Sequence, residues 1–261
     1  MPTRESYDHG TPSWVDLMTT DPAGAQAFYG EIFGWDFEDN PTPDGQVYTM
    51  ASKGGRSAAG MGAQPPEQIE MGIPPMWNTY LTVDDIAAAA GKAEGAGGSV
   101  MMPPMEVMEA GSMAVVVDPS GAVVCMWQPG QHIGCEVVNE HGALIWNELL
   151  TDNIEAAAPF YNALFGLNTS EVDMGGGMMY TLLECGEAQV AGMMPPPMEG
   201  IPNHWSTYFA VDDADATVAK IQELGGSVMG PAFDVPGVGR MAAIQDPQGA
   251  NFMIMQPEAQ A

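Results

Sequence analysis

The chain repeats itself, and a repeat settles how many structural units any fold of it must contain. With a shift of 132 residues the first half lies on the second. Gly10 meets Gly142, Trp14 meets Trp146, and Asp16 meets Glu148. Phe28-Tyr29 meets Phe160-Tyr161, Phe33-Gly34 meets Phe165-Gly166, Tyr48-Thr49 meets Tyr180-Thr181, and Gly60-Met61 meets Gly192-Met193. The shift then becomes 128: Trp77-x-Thr79-Tyr80 meets Trp205-x-Thr207-Tyr208, and Asp118-Pro119-x-Gly121 meets Asp246-Pro247-x-Gly249. The four-residue gap falls among prolines and glycines near 65–73 and 195–200, where a loop absorbs it. Two domains are expected, 8–129 and 140–257, joined by the stretch Pro129 to His141.

Each half has a rhythm of its own. A strand over Trp14–Thr19 runs into Asp21-Pro22, a helix cap followed by a residue suited to the first helical position. Ala25, Phe28, Tyr29 and Ile32 then share one helical face, and Gly34 closes the helix. Strands follow near Val47–Met50 and Ser57–Gly62. The pattern restarts with a strand over Trp77–Val83, Asp84 as cap, a helix Ile86–Glu94 and Gly95 as stop. Strands near Ser112–Val117 and Val123–Gln128 complete it. The order is βαβββ, twice per half and four times in the chain, which reads as α+β.

Charge narrows the partners. Thirty-four Asp and Glu face six Lys and Arg, a formal charge of −28. Such a field repels nucleic acid and anionic membranes, so neither is an expected partner. It suits a salt-rich milieu, where counterions screen the repulsion, or an ordinary acidic protein, and the presence of only three lysines, Lys53, Lys92 and Lys220, favours the first. No run approaches the roughly 20 apolar residues of a membrane span, and Met1 to Gly10 lack an apolar signal core, so a cytoplasmic location is expected. Cys125, Cys135 and Cys185 are widely spaced, without a CxxC pair, and read as free thiols. Monomer and homodimer both remain open.

These residues resemble a family. Phe28-Tyr29…Phe33-Gly34-Trp35, then Val83-Asp84-Asp85…Gly97-Gly98, then Asp118-Pro119-Ser120-Gly121, recurring in the second half, is similar to the vicinal oxygen chelate superfamily. That group includes glyoxalase I, bleomycin-resistance proteins and extradiol dioxygenases. The segments GTPxWVDL, IWNELLTD and PNHW resemble, more narrowly, the two-domain actinobacterial glyoxylase-type proteins. The resemblance implies four βαβββ modules paired into two glyoxalase-like domains, each a curved sheet around an open cavity. It implies less about chemistry, since function lives in the site.

The resemblance also assigns positions to metal ligands. The first, fourteen residues before the Phe of the FY pair, is Trp14 here and Trp146 in the second half. An indole N–H only donates and binds no metal. The next falls at Asn78, or at Ser206 with His204 beside it, and the last at Cys125 and Met253. The remaining strand offers Ser57 to Gly60 and Ala188 to Ala191, with Glu187 just before. Neither half supplies three imidazole or carboxylate donors, so no metal and no other cofactor is expected.

Alternation places the inward faces instead. They carry Trp14, Asp16, Asn78, Tyr80, Cys125 and Trp127 in one half, and Trp146, Glu148, His204, Ser206, Tyr208, Met253 and Met255 in the other. Aromatic walls with a few polar groups suit a small-molecule pocket. Asp16 and Glu148 are each a carboxylate within an apolar strand. They read either as a general base or ligand anchor with raised pKa, or as partners of a backbone amide or tyrosine hydroxyl. His204 reads as an acid or base beside Glu148 or Tyr208, or as a locally satisfied histidine. Arg240 is a candidate anion holder, or a surface ion pair. Methionines 101, 102, 105, 108 and 113, and 193, 194 and 198, read as adaptable apolar lining on loops at a cavity rim, or as a thioether copper site. The expected function is binding of a small aromatic or carbonyl-containing molecule. The alternatives are a lyase or isomerase acting on a small carbonyl compound, and an interaction protein with vestigial pockets.

Overall fold

The computed structural model describes residues 3–43, 45–175, 177 and 179–258. The first half runs β1 (Pro12–Thr19), α1 (Pro22–Phe33), β2 (Asp36–Pro41), β3 (Val47–Lys53), β4 (Arg56–Ala63), α2 (Pro66–Glu70), β5 (Met76–Thr82), α3 (Ile86–Ala90), β6 (Ser99–Val107), β7 (Gly111–Val117) and β8 (Val123–Pro129). The second runs β9 (Leu144–Leu150), α4 (Ile154–Phe165), β10 (Asn168–Asp173), β11 (Met179–Cys185), β12 (Ala188–Met194), β13 (His204–Ala210), α5 (Ala214–Glu223), β14 (Ser227–Val228), β15 (Phe233–Val235), β16 (Gly239–Gln245) and β17 (Asn251–Pro257). Each half builds its own mixed sheet, ordered β2-β3-β4-β1-β5-β8-β7-β6 and β10-β11-β12-β9-β13-β17-β16-β14. The βαβββ order holds four times, the edge strand of the last module being broken into β14 and β15, which both pair with β16. β1 and β5, and β9 and β13, pair antiparallel at the centre and join the two modules of each half.

Local chemistry sets the helices. The Asp21 carboxylate accepts from the Gly24 amide at 3.0 Å, Pro22 follows, and Gly34 takes a left-handed φ of 68° that ends α1. Asn153 and Gly166 do the same for α4. Two expectations need correction in the second module. The cap of α3 is Asp85 rather than Asp84, because β5 stops at Thr82 and the helix starts at Ile86; the Asp84 amide donates to His9 Nδ1 instead. The helix is also short, ending at Ala90 rather than Glu94. Its copy α5 runs ten residues. The cause lies at two positions: Gly91 and Gly95 stand where α5 has Ala219 and Glu223, and each glycine costs about 1 kcal/mol in a helix. Met101, Met102 and Met105 lie on edge strand β6, not on rim loops.

The sheets divide where the sequence divides, but the hydrophobic cores do not. The sheets stand back to back, with Thr79 Oγ1 of β5 donating to Asn147 Oδ1 of β9 at 2.9 Å between them. One core joins Val15, Leu17, Phe33 and Trp35 to Phe209, Ile221, Ile244 and Phe252 of the second half. A second joins Leu81, Ala89, Val116 and Met126 to Leu149, Phe160, Tyr161 and Trp205, and a third, small cluster of Tyr208, Met241 and Met255 lies within the second half. The tyrosine of each FY pair reaches across. Tyr29 donates to Asp246 at 2.9 Å and Tyr161 to Asp118 at 3.0 Å, each aspartate being the first residue of the partner half's DPxG turn. Gly98 and Gly226 let the rings of Phe160 and Phe28 approach the opposing backbone.

Candidate functional site

The faces turned away from the opposite sheet carry the residues that alternation selects. On β1, Trp14 lies opposite Tyr80 and Asp16 opposite Asn78, while Asp16 faces Gly60 of β4 and Tyr80 faces Cys125 of β8. In the second half Trp146 lies opposite Tyr208, Glu148 opposite Ser206 and Gly192, and Tyr208 opposite Met253. His204 belongs to the next row, opposite Leu150.

The two carboxylates are buried and bonded. Asp16 Oδ1 accepts from the Asn78 amide at 2.9 Å, and its Oδ2 accepts from the Tyr80 and Tyr48 hydroxyls at 2.8 and 3.2 Å. Glu148 accepts from Tyr180 and Tyr208, one oxygen each, both at 2.7 Å. Trp14 and Trp146 donate from their indole nitrogens to the Tyr48 and Tyr180 hydroxyls, both at 3.0 Å. Burial pushes both carboxyl groups above the usual carboxylate range, and the hydrogen bonds from asparagine and tyrosine pull them partway back. Of the two readings of these carboxylates, tyrosine-bonded is the geometry found.

Tyr48 and Tyr180 belong to these clusters and sequence reasoning passed over them. Each hydroxyl lies where a Cβ on Gly60 or Gly192 would have to be. The signal existed: the tyrosine and the glycine both repeat at the 132-residue shift, on strands that pair.

The donor set can be compared with what a divalent ion needs. The strand position facing each carboxylate is a glycine. Trp14 and Trp146 only donate, Asn78 and Ser206 stand opposite the carboxylates, and burial first, then the charge of Asp16, pushes the Cys125 thiol up, away from the thiolate a metal binds. Among the described residues no group of three His, Cys, Asp or Glu side chains is gathered to hold an ion. The residues present do not fit the metal of the chelate chemistry.

Several expected members stand elsewhere. His204 forms no acid–base pair with Glu148 or Tyr208, whose polar atoms bond one another; its Nδ1 lies 2.8 Å from the Pro202 carbonyl. Arg240 is on the opposite sheet face, opposite Gln256, and its guanidinium bridges Asp215 and Asp234 at 2.9–3.1 Å. It borders a shallow cleft of about 430 Å³ with Val235, Pro236 and Glu258. Met193 is core, whereas Met194 and Met253 are half-buried. The histidines of tail and linker are docked rather than loose. His9 and His141 accept, through Nδ1, from the Asp84 and Asp212 amides at 3.1 and 3.2 Å.

The two faces differ in access. Trp14, Tyr80, Cys125 and Trp127 are all buried, at 3–5% exposure. In the second half Trp146 and Met253 are half-buried and pack against Tyr208, Met241 and Met255.

The model of the Glyoxalase/Bleomycin resistance protein/Dioxygenase superfamily matches residues 11–126 and 143–254. "Putative glyoxylase CFP32" of Mycobacterium tuberculosis is 50% identical over 261 residues, the whole of both chains. "Anthracycline biosynthesis protein DnrV" of Streptomyces peucetius is 36% identical, covering 95% of this chain and 93% of that one. Among solved structures, the Mn(II)-bound glyoxalase from Novosphingobium aromaticivorans superposes with a TM-score of 0.64 at 15% identity, over 95% of this chain and 82% of its own; at that identity the likeness concerns the fold.

Proposed function

The chain belongs to the glyoxalase/bleomycin resistance protein/dioxygenase superfamily, and on that premise we propose that it is a small-molecule binding protein with degenerate metal sites, taking a planar aromatic compound that carries a carbonyl or hydroxyl group. The observation that carries this reading is the second-half cluster. A half-buried indole, Trp146, stands beside a buried carboxyl held by two tyrosine hydroxyls, with Met241, Met253 and Met255 as the apolar floor. An aromatic ring gains by covering the indole and the polarisable thioethers. Its polar substituent meets Tyr208 and Glu148, where a mispaired group would be penalised in low dielectric. The kinship with a protein named for anthracycline biosynthesis supports a fused-ring ligand.

The test is quenching of tryptophan fluorescence by a panel of hydroxynaphthalenes and hydroxyanthraquinones, on the native chain and on Trp146→Ala. Saturable quenching that disappears in the variant is expected. No quenching by any compound sinks the proposal.

The name of the mycobacterial relative favours a second reading, a lyase or isomerase for a small carbonyl compound. Glu148, with its raised pKa, is then the acid, and Tyr180 and Tyr208 orient it. Turnover of methylglyoxal with a thiol separates the two readings. Activity that depends on added zinc, nickel or manganese and vanishes with a chelator contradicts degenerate metal sites; metal-independent activity lost in Glu148→Gln supports the acid.

A further inference from the structure

The first-half face is closed by the chain's own linker. After β8 the backbone turns back on the β6–β7 hairpin, the Gln131 and His132 amides donating to the Glu109 and Ala110 carbonyls at 3.0 Å. This carries His132 over the face. Its imidazole meets the Trp14 ring edge-on, with centroids 4.4 Å apart, and the Trp127 ring at 5.8 Å. Trp127 Nε1 donates to the His132 carbonyl at 2.8 Å. Farther along, Cys135 is pinned by its amide to Ser13 O at 2.7 Å and by its thiol to Ala58 O at 3.0 Å. The segment is thus tied down on both sides of the ring.

The ring does not sit there for its polar bonds. His132 Nε2 is buried without a hydrogen-bond partner, and a ring nitrogen in that position is a polar cost. What holds the side chain is aromatic contact over two indoles, the same contact a planar ligand would make. Trp14, beneath this ring, is 3% exposed, while its copy Trp146 is half-buried.

We infer that His132 is an internal occupant of the first-half aromatic site, so that each chain offers one ligand site, built around Trp146, rather than the two its duplication suggests. The ligand class rests on the reading proposed above. The occupancy of the first site by His132 does not.

Two measurements keep these apart. The first is titration calorimetry with 2-naphthol on the native chain, Trp146→Ala and His132→Ala. One equivalent is expected for the native chain, none for Trp146→Ala and two for His132→Ala. Two equivalents on the native chain overturn the inference. The second needs no ligand: modification with 2-hydroxy-5-nitrobenzyl bromide, followed by peptide mapping. The native chain is expected to label at Trp146 and be protected at Trp14 and Trp127; His132→Ala labels at all three, and His132→Phe, which refills the space, restores protection. Labelling of Trp14 in the native chain overturns the inference, and this holds even where His132→Ala does not fold. Absence of 2-naphthol binding together with the expected labelling pattern overturns the ligand reading and leaves the internal occupant standing.

Discussion

Asp16 and Glu148 show how one buried charge recruits its surroundings. Each was legible as an acid out of place in an apolar strand, because burying a carboxylate unpaired is costly. What it bonds to was not, since Tyr48 and Tyr180 come from a strand two places away across a glycine. Removing one donor leaves the acid short of a partner: Tyr180→Phe is expected to destabilise by about 1–3 kcal/mol in urea unfolding. Gly192→Ala should cost a similar amount by the same route, because the new Cβ displaces the Tyr180 hydroxyl. If Gly192→Ala leaves the unfolding midpoint unchanged, the hydroxyl is not held as described. The pH dependence follows in sign. Burial raises the folded-state pKa of Glu148 above its ordinary 4.5, so the folded chain holds that proton more tightly. The contribution is present below 4.5 and is lost as pH rises through the higher folded value. Glu148→Gln should therefore flatten the fall in melting temperature from pH 4.5 upward; parallel curves for variant and native chain would refute the shift.

At the level of elements, the cap of α1 was readable, that of α3 was off by one residue, and helix length was not readable. Asp21 with Pro22 begins a helix where its residue type says it should. The extent of α3 depended on a contest between alanines, which favour helix, and two exposed glycines, which do not. Gly95 has open space and no left-handed φ, with only Lys92 O within 4 Å of an added Cβ, at 3.6 Å. Gly95→Ala is expected to lengthen α3 and to stabilise by about 0.5–1 kcal/mol, read from the urea midpoint and far-ultraviolet dichroism. A loss of stability would mean that the turn after Ala90 is required. The motifs that carry the family likeness act at this scale. The FY tyrosines bind the DPxG aspartates of the opposite half, and the paired glycines admit the opposite helix. They join modules; the site residues lie on other strands.

For the molecule as a whole, the two larger cores draw on both halves, and the small cluster of Tyr208, Met241 and Met255 belongs to the second half alone. Calorimetry should show a single cooperative transition despite the duplication. Two resolved transitions would contradict the shared cores. The charge of −28 acts on the same scale. Self-repulsion opposes the compact state, and molar NaCl shortens the screening length to about 3 Å. The melting temperature is therefore expected to climb from low salt to molar NaCl, and a flat curve would remove the salt-adapted reading.

The amino-acid sequence by itself determined the number of modules, the order βαβββ, the cap of α1 and the faces on which Trp14, Asp16, Trp146 and Glu148 lie. These follow from periodicity, turn chemistry and duplication, which are properties of neighbouring residues. Only the tertiary structure decided that Arg240 faces α5, that His204 stands apart from Glu148, and that His132 lies over Trp14. Each of those depends on which distant backbone arrives at a given face. His132 and Trp14 are more than a hundred residues apart, and no local pattern records that the linker folds back between them.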